Sequence, residues 1–90
     1  MNYQVEDIKD GEHETIVSEV PDLDEAFKIA SKFLAKNPKP RTNDQVIIRE
    51  QSGKRRIVVS FLAFKKSWKV EKILHYIEDA EEIGAAEEQW

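Results

Sequence analysis

Between Arg56 and the pair Lys65-Lys66 stand Ile57, Val58, Val59, Ser60, Phe61, Leu62, Ala63 and Phe64. β-Branched and aromatic residues at this density read as a strand. Successive side chains of a strand point to opposite faces. Ile57, Val59, Phe61 and Ala63 therefore fall on one side, and Val58, Ser60, Leu62 and Phe64 on the other. A sheet covered on one face only alternates apolar with polar residues, whereas this strand is apolar on both. Leaving Val58, Leu62 and Phe64 wet would forfeit several kcal/mol at about 25 cal/mol per Å², comparable with the net stability of a small domain. The expectation is that something covers the second face. The candidates are the C-terminal segment around Ile83 and Trp90, helices placed on opposite faces, a second copy of the chain, or another protein.

The rest of the chain supplies elements on either side of this strand. Tyr3, Val5 and Ile8 lie in a mostly polar stretch before Asp10-Gly11, one of the strongest hairpin-turn dipeptides. Glu14 to Val20 is again rich in β-branched residues. The two form a hairpin with strands over 2–8 and 13–20, the polar first strand being expected at a sheet edge. Asp22, with Glu25 three residues on, marks a helix start: Asp22 caps free backbone N–H groups, and acids in the first turn suit the helix dipole. Leu23, Ala26, Phe27, Ala30, Phe33 and Leu34 recur at three- and four-residue steps, the apolar side of an amphipathic helix over 22–36. Asn37-Pro38-Lys39-Pro40 ends it, because the residue before a proline avoids helical geometry.

Gln45 to Glu50 reads as the third strand, Gln51 to Lys54 as a turn and Arg55 to Phe64 as the fourth strand. After Lys65-Lys66, Ser67 reads as the cap of a second helix carrying Val70, Ile73, Leu74, Ile77 and Ala80 on its apolar side, with Gly84 as its stop. The fold class expected is α+β in the order ββαββα: a four-stranded antiparallel sheet packed with two helices in a two-layer sandwich. A chain of 90 residues is one domain, here 1–84, followed by a frayed tail over 85–90.

The formal net charge is -4, distributed in blocks. Residues 1–26 carry nine acids and one base, residues 27–75 thirteen bases and three acids, and residues 76–90 six acids and no base. Such a chain neutralises itself on folding or presents separate charged faces to partners. The sequence has no cysteine, which excludes disulfides, thiolate catalysis and cysteine-based metal sites. No window approaches the run of about 18 apolar residues that a membrane span needs, and the N-terminus lacks the features of a signal peptide. A cytoplasmic protein without a membrane partner is the expectation.

His13 and His75 have no spacing that suits a metal and read as solvated surface residues. Glu78-Asp79 and Glu81-Glu82 read as a solvated acidic cap. No nucleophile motif and no glycine-rich phosphate loop occurs. The chain is therefore expected to have no catalytic residues, no metal, no cofactor and no small-molecule substrate. The ββαββ layout, with the helix start Asp22-Leu23-Asp24-Glu25-Ala26, resembles that of small bacterial and phage proteins of unknown function. The resemblance spans about half the chain and implies no site.

Two binding roles follow. The first is a protein-interaction module that self-associates as a homodimer, or takes another protein, through Val58, Leu62 and Phe64. The second is a nucleic-acid-binding accessory protein. In an antiparallel pair the start of the third strand lies beside the end of the fourth, which gathers Lys39, Arg41, Lys65, Lys66 and Lys69 around Trp68. Basic side chains with an aromatic hold phosphate and stack a base.

Overall fold

A computed structural model describes residues 2–51 and 55–73 of the chain. They form β1 (Tyr3–Lys9), β2 (Glu12–Val20), α1 (Leu23–Lys36), β3 (Gln45–Gln51), β4 (Arg55–Phe64) and β5 (Ser67–Ile73). The five strands make one sheet in the order β2-β1-β3-β4-β5, with every neighbouring pair antiparallel.

The expected four-stranded sheet with two helices is therefore corrected to five strands and, among the described residues, one helix. Ser67 opens a strand rather than capping a helix. Trp68 and Val70 alternate with Lys69 and Glu71, so the segment fits a period of two as well as it fits helical steps, and pairing with β4 decides in favour of the strand. The connection is a two-residue turn in which Lys65 and Lys66 both adopt left-handed backbone, at φ 51° and 64°. This is the conformation whose twist suits a tight hairpin, formed without the Asn-Gly or Asp-Gly that usually announces it. The Asp10-Gly11 turn has the same form, at φ 53° and 83°, and joins β1 to β2 as its sequence predicts. The remainder of the expected second helix, 74–84, and the tail over 85–90 lie outside the described residues.

A second correction concerns β1. It is not an edge strand but lies between β2 and β3. Its polar residues Gln4, Glu6 and Asp7 are buried along with Val5 and Ile8.

Helix α1 crosses one face of the sheet, over β2, β1 and β3. Asp22 accepts a hydrogen bond from the Glu25 N–H at 2.8 Å, as the capping pattern predicts. Ala26 and Ala30 are fully buried and let the helix approach closely, flanked by Leu23, Phe27, Phe33 and Leu34. The sheet meets it with Val5, Val46, Ile48, Val59 and Phe61. Phe27 and Phe61 touch edge to face, with centroids 5.9 Å apart. Trp68 completes this side from β5, donating its indole N–H to the Asn37 carbonyl at 2.6 Å.

A bulge in β4 changes the expected alternation. Ile48 pairs with Val59 and Arg49 with Ile57, so Val58 is the extra residue. It joins the helix-side cluster and is 8% exposed. Beyond the bulge the pattern holds: Val59, Phe61 and Ala63 on the helix side, Ser60, Leu62 and Phe64 on the other.

Left-handed backbone costs a residue with a side chain about 1–2 kcal/mol, and glycine returns about 0.5–1 kcal/mol of that as unfolded-state entropy. Lys66→Gly should therefore stabilise the fold by about 0.5–1 kcal/mol, read as a higher midpoint in urea with an unchanged slope.

Candidate functional site

The second sheet face carries two different surfaces. Over β2, β1 and β3 it is a polar network built on Glu6. The Gln4 side-chain amide donates to Glu6 Oε2 at 2.8 Å, and Arg49 Nε donates to the same oxygen at 2.9 Å. His13 Nδ1 lies 3.0 Å from Glu6 Oε1 and is the donor, because an ionised carboxylate only accepts. Gln4 also donates to Thr15 Oγ1 at 3.0 Å and accepts from the Gln51 amide at 3.0 Å. Gln51 in turn accepts from the Glu19 N–H at 2.8 Å. These contacts tie β2, β1 and β3 in one register. Burial raises the Glu6 pKa, but the hydrogen bonds from His13 and Arg49 and their charges outweigh it and hold the carboxyl below its usual range. A carboxylate so held is a poor proton acceptor near neutrality. Its chemistry is that of a holder.

Asp7 is the contrary case on the helix side. It is 4% exposed, its Oδ1 is buried without a hydrogen bond, and Lys9 Nζ approaches Oδ2 only to 3.8 Å. Burial first, and then the nearby Asp44 and Glu14 charges, raise its pKa against the pull of Lys9.

Towards β4 and β5 the second face changes character. One row of paired residues runs His13, Ile8, Gln45, Leu62, Lys69 across all five strands. Leu62 is half-buried. Phe64, one step further along β4, is 52% exposed. The ammonium groups of Lys65 and Lys69 stand 5.4 and 5.3 Å from its ring centroid, within the range of cation–π attraction. The exposed Lys66 completes the tip.

The loop after α1 is fastened to this end. Asp44 is 4% exposed, accepts from the Arg41 N–H at 2.9 Å, and takes the Ala63 N–H on its own carbonyl at 3.2 Å. With the Trp68–Asn37 bond, this brings the segment bearing Lys39 and Arg41 to the β4–β5 end. Arg41 meets Asp10 at 3.4 Å, both side chains being about 70% exposed, a pair of little energetic weight. A cleft of about 530 Å³ lies between the Asp10-Gly11 turn and this loop, opening on Ile8, Leu62, Ala63, Asn43 and Gln45.

Of the residues singled out from sequence, Phe64, Lys65, Lys66 and Lys69 come together, and the loop with Lys39 and Arg41 is fixed at the same end. Trp68 does not join them as a stacking surface: it is half-buried in the core with its N–H engaged. Val58 belongs to the core. His13 is exposed yet serves the Glu6 network, while His75 and the acids from Glu78 to Glu82 lie outside the described residues. Among the described residues no group of three or more His, Asp or Glu is placed to hold a metal ion, and no helix is long and apolar enough to cross a membrane. The Glu6 network and the cleft were missed by sequence reasoning. The signal for the first was Gln4 and Glu6 at a spacing of two, facing His13 and Thr15 at the same spacing across a turn.

Comparison of the chain with protein-family models, with curated proteins and with solved structures gave no match.

The two buried acids have opposite linkage to pH. The folded-state pKa of Glu6 is lowered, so its stabilisation is present above the unfolded value and lost as pH falls through the folded one. Glu6→Gln should cost about 2 kcal/mol at pH 7, and acidification should close the gap to the parent protein. The folded-state pKa of Asp7 is raised, so it costs stability above that value and the cost disappears below the unfolded one. Asp7→Asn should stabilise by about 1 kcal/mol at pH 7, with the gain fading in acid. Urea melts across a pH series check both.

Proposed function

We propose that this chain is a binding module without chemistry of its own, and that it binds single-stranded nucleic acid through the β4–β5 end of its second sheet face. The observation that carries the reading is Phe64: an aromatic ring 52% exposed on a sheet face, with two ammonium groups 5.4 and 5.3 Å from its centroid. A flat ring stacks an unpaired base, and flexible lysines reach its phosphates. Lys66 at the tip, with Lys39 and Arg41 on the fastened loop, extends the positive surface on which a backbone would lie.

Self-association through the same face is supported less well. Val58, one of the three residues that suggested it, is in the core. A two-fold axis through Phe64 would also set Lys65, Lys66 and Lys69 against their own copies, and like charges directly opposed destabilise a pairing. An anionic partner relieves that repulsion.

Fluorescence anisotropy with single-stranded DNA and RNA oligonucleotides tests the reading. Affinity should fall linearly on a log–log plot against salt, and removing Lys65 and Lys69 together should flatten the slope by about 1.4. Phe64→Ala should weaken binding about tenfold or more. No binding to any probe at about 50 mM salt would overturn the proposal. A dimer in sedimentation that Leu62→Glu dissociates would then reinstate self-association.

A further inference from the structure

We infer that the six acids of residues 76–90 occupy the lysine margin when no nucleic acid is bound and compete there with its phosphates; this rests on the nucleic-acid reading of the β4–β5 end. The placement of charge supports it first. Among the described residues none of Lys65, Lys66 and Lys69 is paired with an acid. The acids of the N-terminal block are engaged or remote. Glu6 holds His13 and Arg49, Asp7 is buried beside Lys9, and Asp10 meets Arg41. Asp22, Asp24 and Glu25 open α1, whose other end meets Trp68. Glu12, Glu14 and Glu19 stand on β2, at the far margin of a sheet about 19 Å wide, beyond a screening length of about 8 Å. In the basic block Asp44 and Glu50 are buried, which leaves Glu71 on β5. The remaining acids of the chain are Glu78, Asp79, Glu81, Glu82, Glu87 and Glu88, with no base among residues 76–90.

Reach and chemistry agree. β5 runs from the Lys65-Lys66 turn to Ile73, which pairs with Val59. At about 3.4 Å per residue, Ile73 lies about 14 Å from Lys69 and about 24 Å from Lys66. A chain spans at most about 3.5 Å per residue, so Glu78 reaches up to about 17 Å from Ile73 and Glu82 up to about 31 Å. The nearer acids thus come within range of Lys69 and the farther ones within range of the turn. Their attachment to β5 gives them an effective concentration of about millimolar order at the margin. Carboxylates and phosphates are both anions that an ammonium group takes. A carboxylate brings no base to stack on Phe64, so a single strand gains the ring as well as the lysines and displaces the acids.

The test is anisotropy of a single-stranded oligonucleotide on the full chain at about 50 mM salt. Changing all six acids to their amides (Glu78→Gln, Asp79→Asn, Glu81→Gln, Glu82→Gln, Glu87→Gln and Glu88→Gln) should tighten binding about fivefold. The parent protein should show the shallower salt slope, because it exchanges carboxylates for phosphates and releases fewer counterions. Two matched pairs separate occupancy from net charge. Glu87→Gln with Glu88→Gln should tighten binding, whereas Glu12→Gln with Glu19→Gln, an equal change of charge on the exposed β2 margin, should not. A peptide with the sequence of residues 76–90 should displace the oligonucleotide from the sixfold variant, and the same peptide with the six amides should not; this arm does not depend on comparing two folds. A sixfold variant that binds no more tightly than the parent, or equal tightening by the two pairs, overturns the inference and leaves the binding function standing. No binding by either the parent or the sixfold variant overturns both.

Discussion

A single helix is narrower than five strands. An α-helix with its side chains is about 10–12 Å across, whereas the outer strands of a five-stranded sheet lie about 19 Å apart. Here α1 settles over β1 and β3, where Ala26 and Ala30 allow close contact. Towards the β4–β5 margin, Phe27 extends to Phe61, and Trp68 leans back to the end of the helix. Val70, on the margin itself, is left 40% exposed. The division of the molecule into a packed half and a half with accessible apolar groups follows from this mismatch of widths.

On the opposite face the two halves use different physics. Over β2, β1 and β3 a buried carboxylate is surrounded by donors, which fixes strand register at the expense of desolvating a charge. Removing one partner of such an arrangement costs far more than the arrangement contributes over an apolar substitute, so its role is specification as much as stability. Over β4 and β5, among the described residues, no such lattice of bonds is present. The ring of Phe64 is flanked by the ammonium groups of Lys65 and Lys69, and contacts with flexible side chains of this kind can exchange partners. Rigidity on one side and adaptability on the other suit a surface that must stay in place while it receives a ligand.

Sequence patterns with one dominant period were legible. The helix of Leu23 to Lys36, its Asp22 cap and the strands on either side of it followed from spacing and turn chemistry. Three features were not legible, each for a physical reason. Gln4, Glu6 and Asp7 made β1 resemble an edge, because polarity signals exposure unless the partners are known, and those partners (Arg49 and Gln51 among them) lie more than forty residues away. The β4–β5 hairpin turns on two lysines whose left-handed backbone no residue preference announces. Val58 faces inward because one bulge shifts the alternation, and a bulge leaves no mark on a run of β-branched residues. Val58, Leu62 and Phe64 were expected to need a cover together; Val58 finds one in the core, Leu62 is half-buried and Phe64 is 52% exposed. The cleft beside it depends on strand order, which the sequence left open.

The separation of charge across the sheet has an electrostatic consequence. Glu12, Glu14 and Glu19 lie on β2 at one margin, and Lys65, Lys66 and Lys69 at the other. Screening in physiological salt acts over about 8 Å, less than half the width of the sheet. A polyanion at the lysine margin would therefore not feel the acidic margin of β2. At larger separations, in dilute salt, these charges on the described residues form a dipole, and the field of a polyanion would turn the basic margin towards it before contact.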